Sequence, residues 1–267
     1  MPHDATSFLA LTWPIKLEYM RGWTALLLWA VPAALGAIRR AVAPGRGTRH
    51  PAAPEPPPRR SASPSASPSP TVLNVPRSGP GTWAYADQQG PVLGGAGPIE
   101  RFRVAVETGI PVSVGEFAAK VQAVLGDPRS WTASGSLRLQ EVPGNAPADF
   151  TIYLATRATS TRMCGAGGLD TDGYTSCRVP GRVIINLDRW EYSVPDYLRA
   201  GVPLEEYRSY VINHETGHQL GHGHELCPGA GRPAPVMEQQ TLGLHGCTAN
   251  PWPYLNGHRY AGPPGQY

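Results

Sequence analysis

The sequence predicts an α+β fold for residues 81–267, a mixed, twisted sheet packed against two helices, the second of them rich in histidine. Three observations carry this. Apolar residues alternate in several short runs, as in half-buried strands. A capping box opens one amphipathic helix. A second helical stripe runs straight into HETGHQLGHGH at residues 214–224. The stretch is long enough to bury a core as one domain.

Taken in order, Thr82 to Ala86 and Ile99 to Glu107 read as strands, with Phe102, Val104 and Val106 alternating in the second. Ser113-Val114-Gly115-Glu116 is the capping box. Behind it Val114, Phe117, Ala118, Val121, Val124 and Leu125 recur at helical spacing, and Gly126 stops the helix. Leu137 and Leu139 alternate in a further strand, Phe150 to Ala155 form another, and Val183 to Leu187 make a short apolar one. Pro203 suits a first helical turn, with Glu205 and Glu206 near the positive end of the helix dipole. Tyr207, Val211, His214 and His218 then fall at i, i+4, i+7 and i+11, one continuous stripe. The buried face of this helix therefore ends in two histidines. No internal repeat is apparent.

His214 and His218 are four apart, so both imidazoles leave one helix face and can share a metal ion. Glu215 lies between them, placed to take a proton from water at the metal. Gly221 can end the helix with a positive φ, letting the chain turn back and bring His224 in as a third ligand. Three neutral nitrogens, an open fourth position and an adjacent carboxylate define a hydrolytic zinc centre with one Zn2+ per chain, not a sealed structural site. The bland alternative is a surface helix that happens to carry several of the chain's eight histidines. The Gly and the third His at fixed offsets count against it. His222 falls off the ligand pattern and reads as a turn residue or a donor behind the ligands.

The pattern H-E-x-x-H-x-x-G-x-x-H resembles that of the metzincin metalloproteases. The resemblance implies a metzincin-like (zincin) domain with an active-site helix, and it makes Met237, thirteen residues after His224, the Met-turn residue beneath the zinc. The wider stretch HELCPGAGRPAPVMEQQTLGLHGCTANPWPY is similar to a family of secreted or membrane-anchored metzincin-like proteins in actinobacteria, over about residues 80–267. In that fold an edge strand above the zinc takes the substrate as an added strand. No Tyr follows Met237 closely; Tyr254, in the tail, is a candidate further ligand. The twenty residues after Cys247 are rich in Pro and Gly, which argues against a C-terminal helix.

The four cysteines, Cys164, Cys177, Cys227 and Cys247, fit an oxidising compartment. Four allow three pairings; nearest-neighbour pairing, Cys164 with Cys177 and Cys227 with Cys247, is the simplest, and a second zinc site is its rival. Asp170-Thr171-Asp172-Gly173 reads as a turn, with calcium as the other reading.

Ahead of the domain the chain is organised differently. Residues 1–22 are a leader, and Met20 is an alternative start. Residues 23–40 hold an apolar run, Trp23 to Ile38, that is either an uncleaved membrane anchor or a signal segment cut near Ala43. The arginines that follow run against the positive-inside rule, but the cysteines favour export. Residues 41–80, dominated by Pro, Ala, Ser and Arg, are expected to be a disordered tether. Residues 1–80 carry nine Lys/Arg against three Asp/Glu and residues 81–267 carry 14 against 17, so the basic charge belongs to the leader and linker. The globular part has no nucleic-acid footprint.

The sequence thus predicts an extracytoplasmic zinc endopeptidase, membrane-anchored or secreted, acting on a peptide or protein with Glu215 as general base. The alternatives are a zinc-containing binding module of the cell envelope and a hydrolase of a non-protein amide such as a peptidoglycan cross-link.

Overall fold

The computed structural model describes residues 75–265. The expected leader, the anchor or signal segment at 23–40 and the linker as far as residue 74 lie outside them. Val75 is already buried in the main core, and the Arg77 carbonyl accepts a hydrogen bond from Ala158 N–H at 3.0 Å. Packed structure therefore begins by Val75, ahead of the boundary expected at 81.

Among the described residues, seven strands form one sheet: β1 (Trp83–Tyr85), β2 (Val92–Leu93), β3 (Ile99–Glu107), β4 (Arg138–Glu141), β5 (Phe150–Ala155), β6 (Cys177–Val179) and β7 (Arg182–Asn186). The order is β2-β4-β3-β5-β7-β6, and β1 pairs antiparallel with the far half of β3. β3 runs parallel to β4 and β5, and β5 runs parallel to β7. The edge strands β2 and β6 are antiparallel to their neighbours. The fold is mixed α+β, as expected.

The alternating side chains explain which face is covered. Phe102, Val104 and Val106 of β3, Ile152 and Leu154 of β5, and Val183 and Ile185 of β7 are all buried on one side. Helix α1 (Val114–Leu125) closes over β3 with Phe117, Val121, Val124 and Leu125. Ser113 caps it, its Oγ accepting Glu116 N–H at 3.1 Å, an interaction typically worth ~1 kcal/mol. The opposite face is partly covered by α2 (Arg157–Gly165), which the sequence pattern did not reveal. Its inward residues are Thr159, Ser160 and Cys164, so no apolar stripe announces it. Two short helices, α3 (Leu187–Glu191) and α4 (Pro195–Arg199), lead into α5 (Leu204–Gln219). Pro203 is the residue just before α5 rather than inside its first turn. α5 lies across β7 and touches α1.

The tail carries a hairpin, β8 (Tyr254–Leu255) and β9 (His258–Arg259), turned through Asn256 and Gly257 at φ 52° and 78°. No helix of the described residues is long and apolar enough to cross a membrane.

Candidate metal centre

α5 delivers its stripe as the spacing predicts: Tyr207, Val211 and His214 are buried and His218 is half-buried. The helix stops at Gln219, and Gly221 adopts φ +91°. The turn is closed by His222 N–H donating to the Gly217 carbonyl at 2.9 Å. The chain then doubles back and brings His224 to the helix. His218 Nε2 lies 3.2 Å from His214 Nε2 and 2.8 Å from His224 Nε2. All three predicted ligands converge.

The protonation pattern decides what that cluster can do. His214 Nδ1 lies 2.9 Å from the Val236 carbonyl and His218 Nδ1 lies 2.9 Å from the His222 carbonyl. A carbonyl only accepts, so both Nδ1 atoms carry the hydrogen. Burial lowers the His214 pKa to about 3, helped by His218, and lowers that of His224 to about 4; His218 is lowered too, chiefly by burial. Neutral rings with Nδ1–H have bare Nε2 lone pairs. The bare His214 and His218 nitrogens face each other with no proton between them, which a cation would relieve. Ligands at 2.0–2.1 Å around a tetrahedral zinc stand about 3.3 Å apart, close to the observed spacing. The donor set fits such an ion.

Glu215 is buried beside the histidines, and burial pushes its carboxyl up to about 8. No described residue hydrogen-bonds its carboxylate. It lines a cleft of about 510 Å³ together with the three histidines, Tyr210 and Val211 of α5, Ser176, Cys177 and Arg178 at β6, and Gln239, Thr241 and Leu242. Arg178 fastens β6 to the end of α5, donating to Gln219 Oε1 at 3.0 Å.

Met237 is fully buried and packs on α5 at Gly217, where an added β-carbon would lie 2.4 Å from its sulfur. Its loop is tied down by Gln240, which donates to the Pro235 and Asn250 carbonyls, and by Asn250 Nδ2, which donates to Ala234. Tyr210 donates to the Glu238 carbonyl at 2.9 Å and Tyr197 to Gln240 Oε1 at 2.6 Å. Trp131 meets the helix beside Met237 at Gly217, donating to the Asn213 carbonyl at 2.8 Å and stacking on His222 at 4.3 Å. His222 is thus a support: its ring packs on Trp131 and its carbonyl orients His218. Sequence reasoning missed Tyr210, which stands one helical turn before His214 and could have been found by that spacing, and Gln240, Asn250 and Trp131, which stand in no recognisable spacing to the histidines.

Both expected disulfides are present, Cys164–Cys177 joining α2 to β6 and Cys227–Cys247 enclosing the Met237 loop. Glu238 lies close to Cys227 and Cys247, but their sulfurs are spent on each other and offer no thiolate to a metal. Asp170 Oδ1 accepts Asp172 N–H at 3.0 Å, the geometry of a turn. Tyr254 pairs with Arg259 in the hairpin and takes no part in lining the cleft.

Fold and site define a class: a mixed α+β domain whose last long helix presents three converging histidines and a buried carboxylate to an open cleft. Within that class the chain belongs to the family described as "protein of unknown function (DUF3152)", which matches residues 69–251 and so includes every residue of the histidine cluster. No curated protein and no solved structure matches the chain.

Proposed function

We propose that the protein is a zinc-dependent endopeptidase of metzincin type that works outside the cytoplasm. The observation that carries this reading is the convergence of three histidine Nε2 atoms beside the buried Glu215 carboxylate, at the floor of an open cleft. A purely structural zinc site has no use for an adjacent base. Gly221, the buried Met237 under α5 and the edge strand β6 along the cleft support the metzincin comparison. The two disulfides support an oxidising compartment.

His214, His218 and His224 would hold the ion. Zinc, when bound, supplies Lewis acidity toward a carbonyl and lowers the pKa of water in its open position. Glu215 then takes the proton from the attacking water as its oxygen bonds to the scissile carbon. The C–N bond breaks, and Glu215 returns the proton to the leaving nitrogen. A positive charge beside Glu215 opposes the effect of burial and favours the carboxylate the reaction needs. An extended substrate can pair with β6, which ends the sheet and borders the cleft through Ser176, Cys177 and Arg178.

The test is cleavage of a broad peptide library by the purified chain, with and without chelation. The reading expects cleavage that chelator abolishes and about one equivalent of zinc restores. Zinc uptake with no peptide cleaved would move the binding module or the non-protein amide ahead.

A further inference from the structure

Residues 259–265 do not line the cleft, yet they hold the chain from the third histidine onward, at residues 224–226. Gly265 N–H donates to the His224 carbonyl at 2.8 Å, Leu226 N–H donates to the Pro263 carbonyl at 2.8 Å, and Gly262 N–H reaches Glu225 Oε2 at 3.3 Å. On its other edge the held stretch His224–Leu226 is bonded to the Met237 loop, Glu225 N–H donating to the Met237 carbonyl at 3.0 Å. The contact is close: a β-carbon at Gly262 would lie 2.1 Å from the Leu226 carbonyl oxygen, and one at Gly265 3.2 Å from His224 Cβ. The tail is a strap laid along His224–Leu226.

One side chain joins this strap to two ligands. Arg259 Nη2 donates to Glu225 Oε1 at 2.7 Å, next in sequence to His224. The pair is largely buried, 23% and 14% exposed, so solvent screens it less than a surface pair. The same guanidinium sits 5.2 Å over the Trp131 ring, and Trp131 stacks on His222, whose carbonyl orients His218. His224 needs such support, since it follows Gly221 and Gly223 and an unrestrained glycine turn would lose much freedom on binding an ion.

We infer that Arg259 is a positioning residue of the metal centre: through Glu225 and Trp131 it holds His224 and His218 at the spacing that binds the ion. Metal affinity is then set partly from outside the histidine motif, by a segment beyond the family match at 69–251. The inference rests on the zinc reading proposed above.

The experiment is a zinc titration of the full chain against a competing chromogenic chelator, well below the thermal midpoint, for wild type, Arg259→Ala, Arg259→Lys and Glu225→Gln. Losses of supporting contacts behind metal ligands typically weaken affinity about 10- to 100-fold. Arg259→Ala is expected to weaken zinc binding by at least about tenfold. Arg259→Lys should recover little of this, because an ammonium neither stacks on Trp131 like a planar guanidinium nor bonds Glu225 and the Tyr260 carbonyl through separate, rigidly spaced nitrogens. A merely structural role would lower the metal-free thermal midpoint and leave the affinity of the folded protein unchanged. Wild-type affinity in folded Arg259→Ala overturns the inference. Should that variant not fold, wild-type affinity in Glu225→Gln overturns it equally. A wild-type chain that takes up no zinc overturns the zinc reading itself, and the inference with it.

Discussion

Gly217 and Met237 touch because one of them has no side chain: a β-carbon at Gly217 would stand 2.4 Å from Met237 Sδ and 2.5 Å from the Trp131 ring. Gly217 lies one residue before His218, so this point of the helix is held in register by the methionine sulfur and the tryptophan ring together. Gly217→Ala gains up to ~1 kcal/mol of helix propensity and incurs ~1–3 kcal/mol of overpacking. We predict a net loss of about 1–2 kcal/mol in urea unfolding together with weaker zinc binding. Unchanged stability and affinity would show that the contact yields freely.

The disulfide Cys227–Cys247 closes the loop that carries Met237, whereas Cys164–Cys177 ties α2 to β6. Each closes a loop whose bridge typically stabilises by about 3 kcal/mol. Replacing either pair by alanines should lower stability by a similar amount. Only the Cys227/Cys247 double variant should also weaken zinc binding, because its loop supplies the Val236 carbonyl to His214. Equal zinc affinities in the two double variants would contradict this division.

Glu107 joins the entering chain to the sheet and α2. Its Oε1 accepts Gly81 N–H at 2.8 Å and the Thr159 hydroxyl at 2.7 Å, and its Oε2 accepts Thr156 N–H at 2.8 Å. Burial pushes its pKa up, but these hydrogen bonds outweigh burial and the net shift is downward. A depressed folded pKa means that the stabilisation is fully present above the unfolded value of 4.5 and is lost as pH falls through the folded value. Glu107→Gln turns an NH2 toward one of these donors and should cost about 1–3 kcal/mol at pH 7. Denaturant curves for the two proteins should converge as pH falls below 4.5. A constant gap down to acid pH would place the loss elsewhere.

Much of the fold could be read before the structure because its signals are local. β3 and β5 match their alternating runs to the residue, and Ser113 with Gly126 brackets α1. The ligand set was legible because three histidines and a glycine fall within eleven consecutive residues. α2 escaped because its buried face is Thr159, Ser160 and Cys164, so its place rests on tertiary packing and a disulfide rather than on apolar periodicity. The shell around the histidines was illegible for a related reason. Trp131 meets Asn213 from 82 positions away, and Arg259 meets Glu225 from 34. Neither spacing leaves a mark in a sequence.

Under the proposed mechanism Glu215 is a base and not a structural neighbour of the metal. Gln at 215 keeps the shape, touches none of the ligand nitrogens and removes the charge that accepts the proton. General-base catalysis typically contributes 100- to 10,000-fold, roughly 3–5 kcal/mol of barrier. Peptide cleavage by Glu215→Gln, measured beside zinc content in the same preparation, is therefore predicted to fall by at least about a hundredfold with zinc unchanged. Cleavage by Glu215→Gln at the wild-type rate would contradict the mechanism.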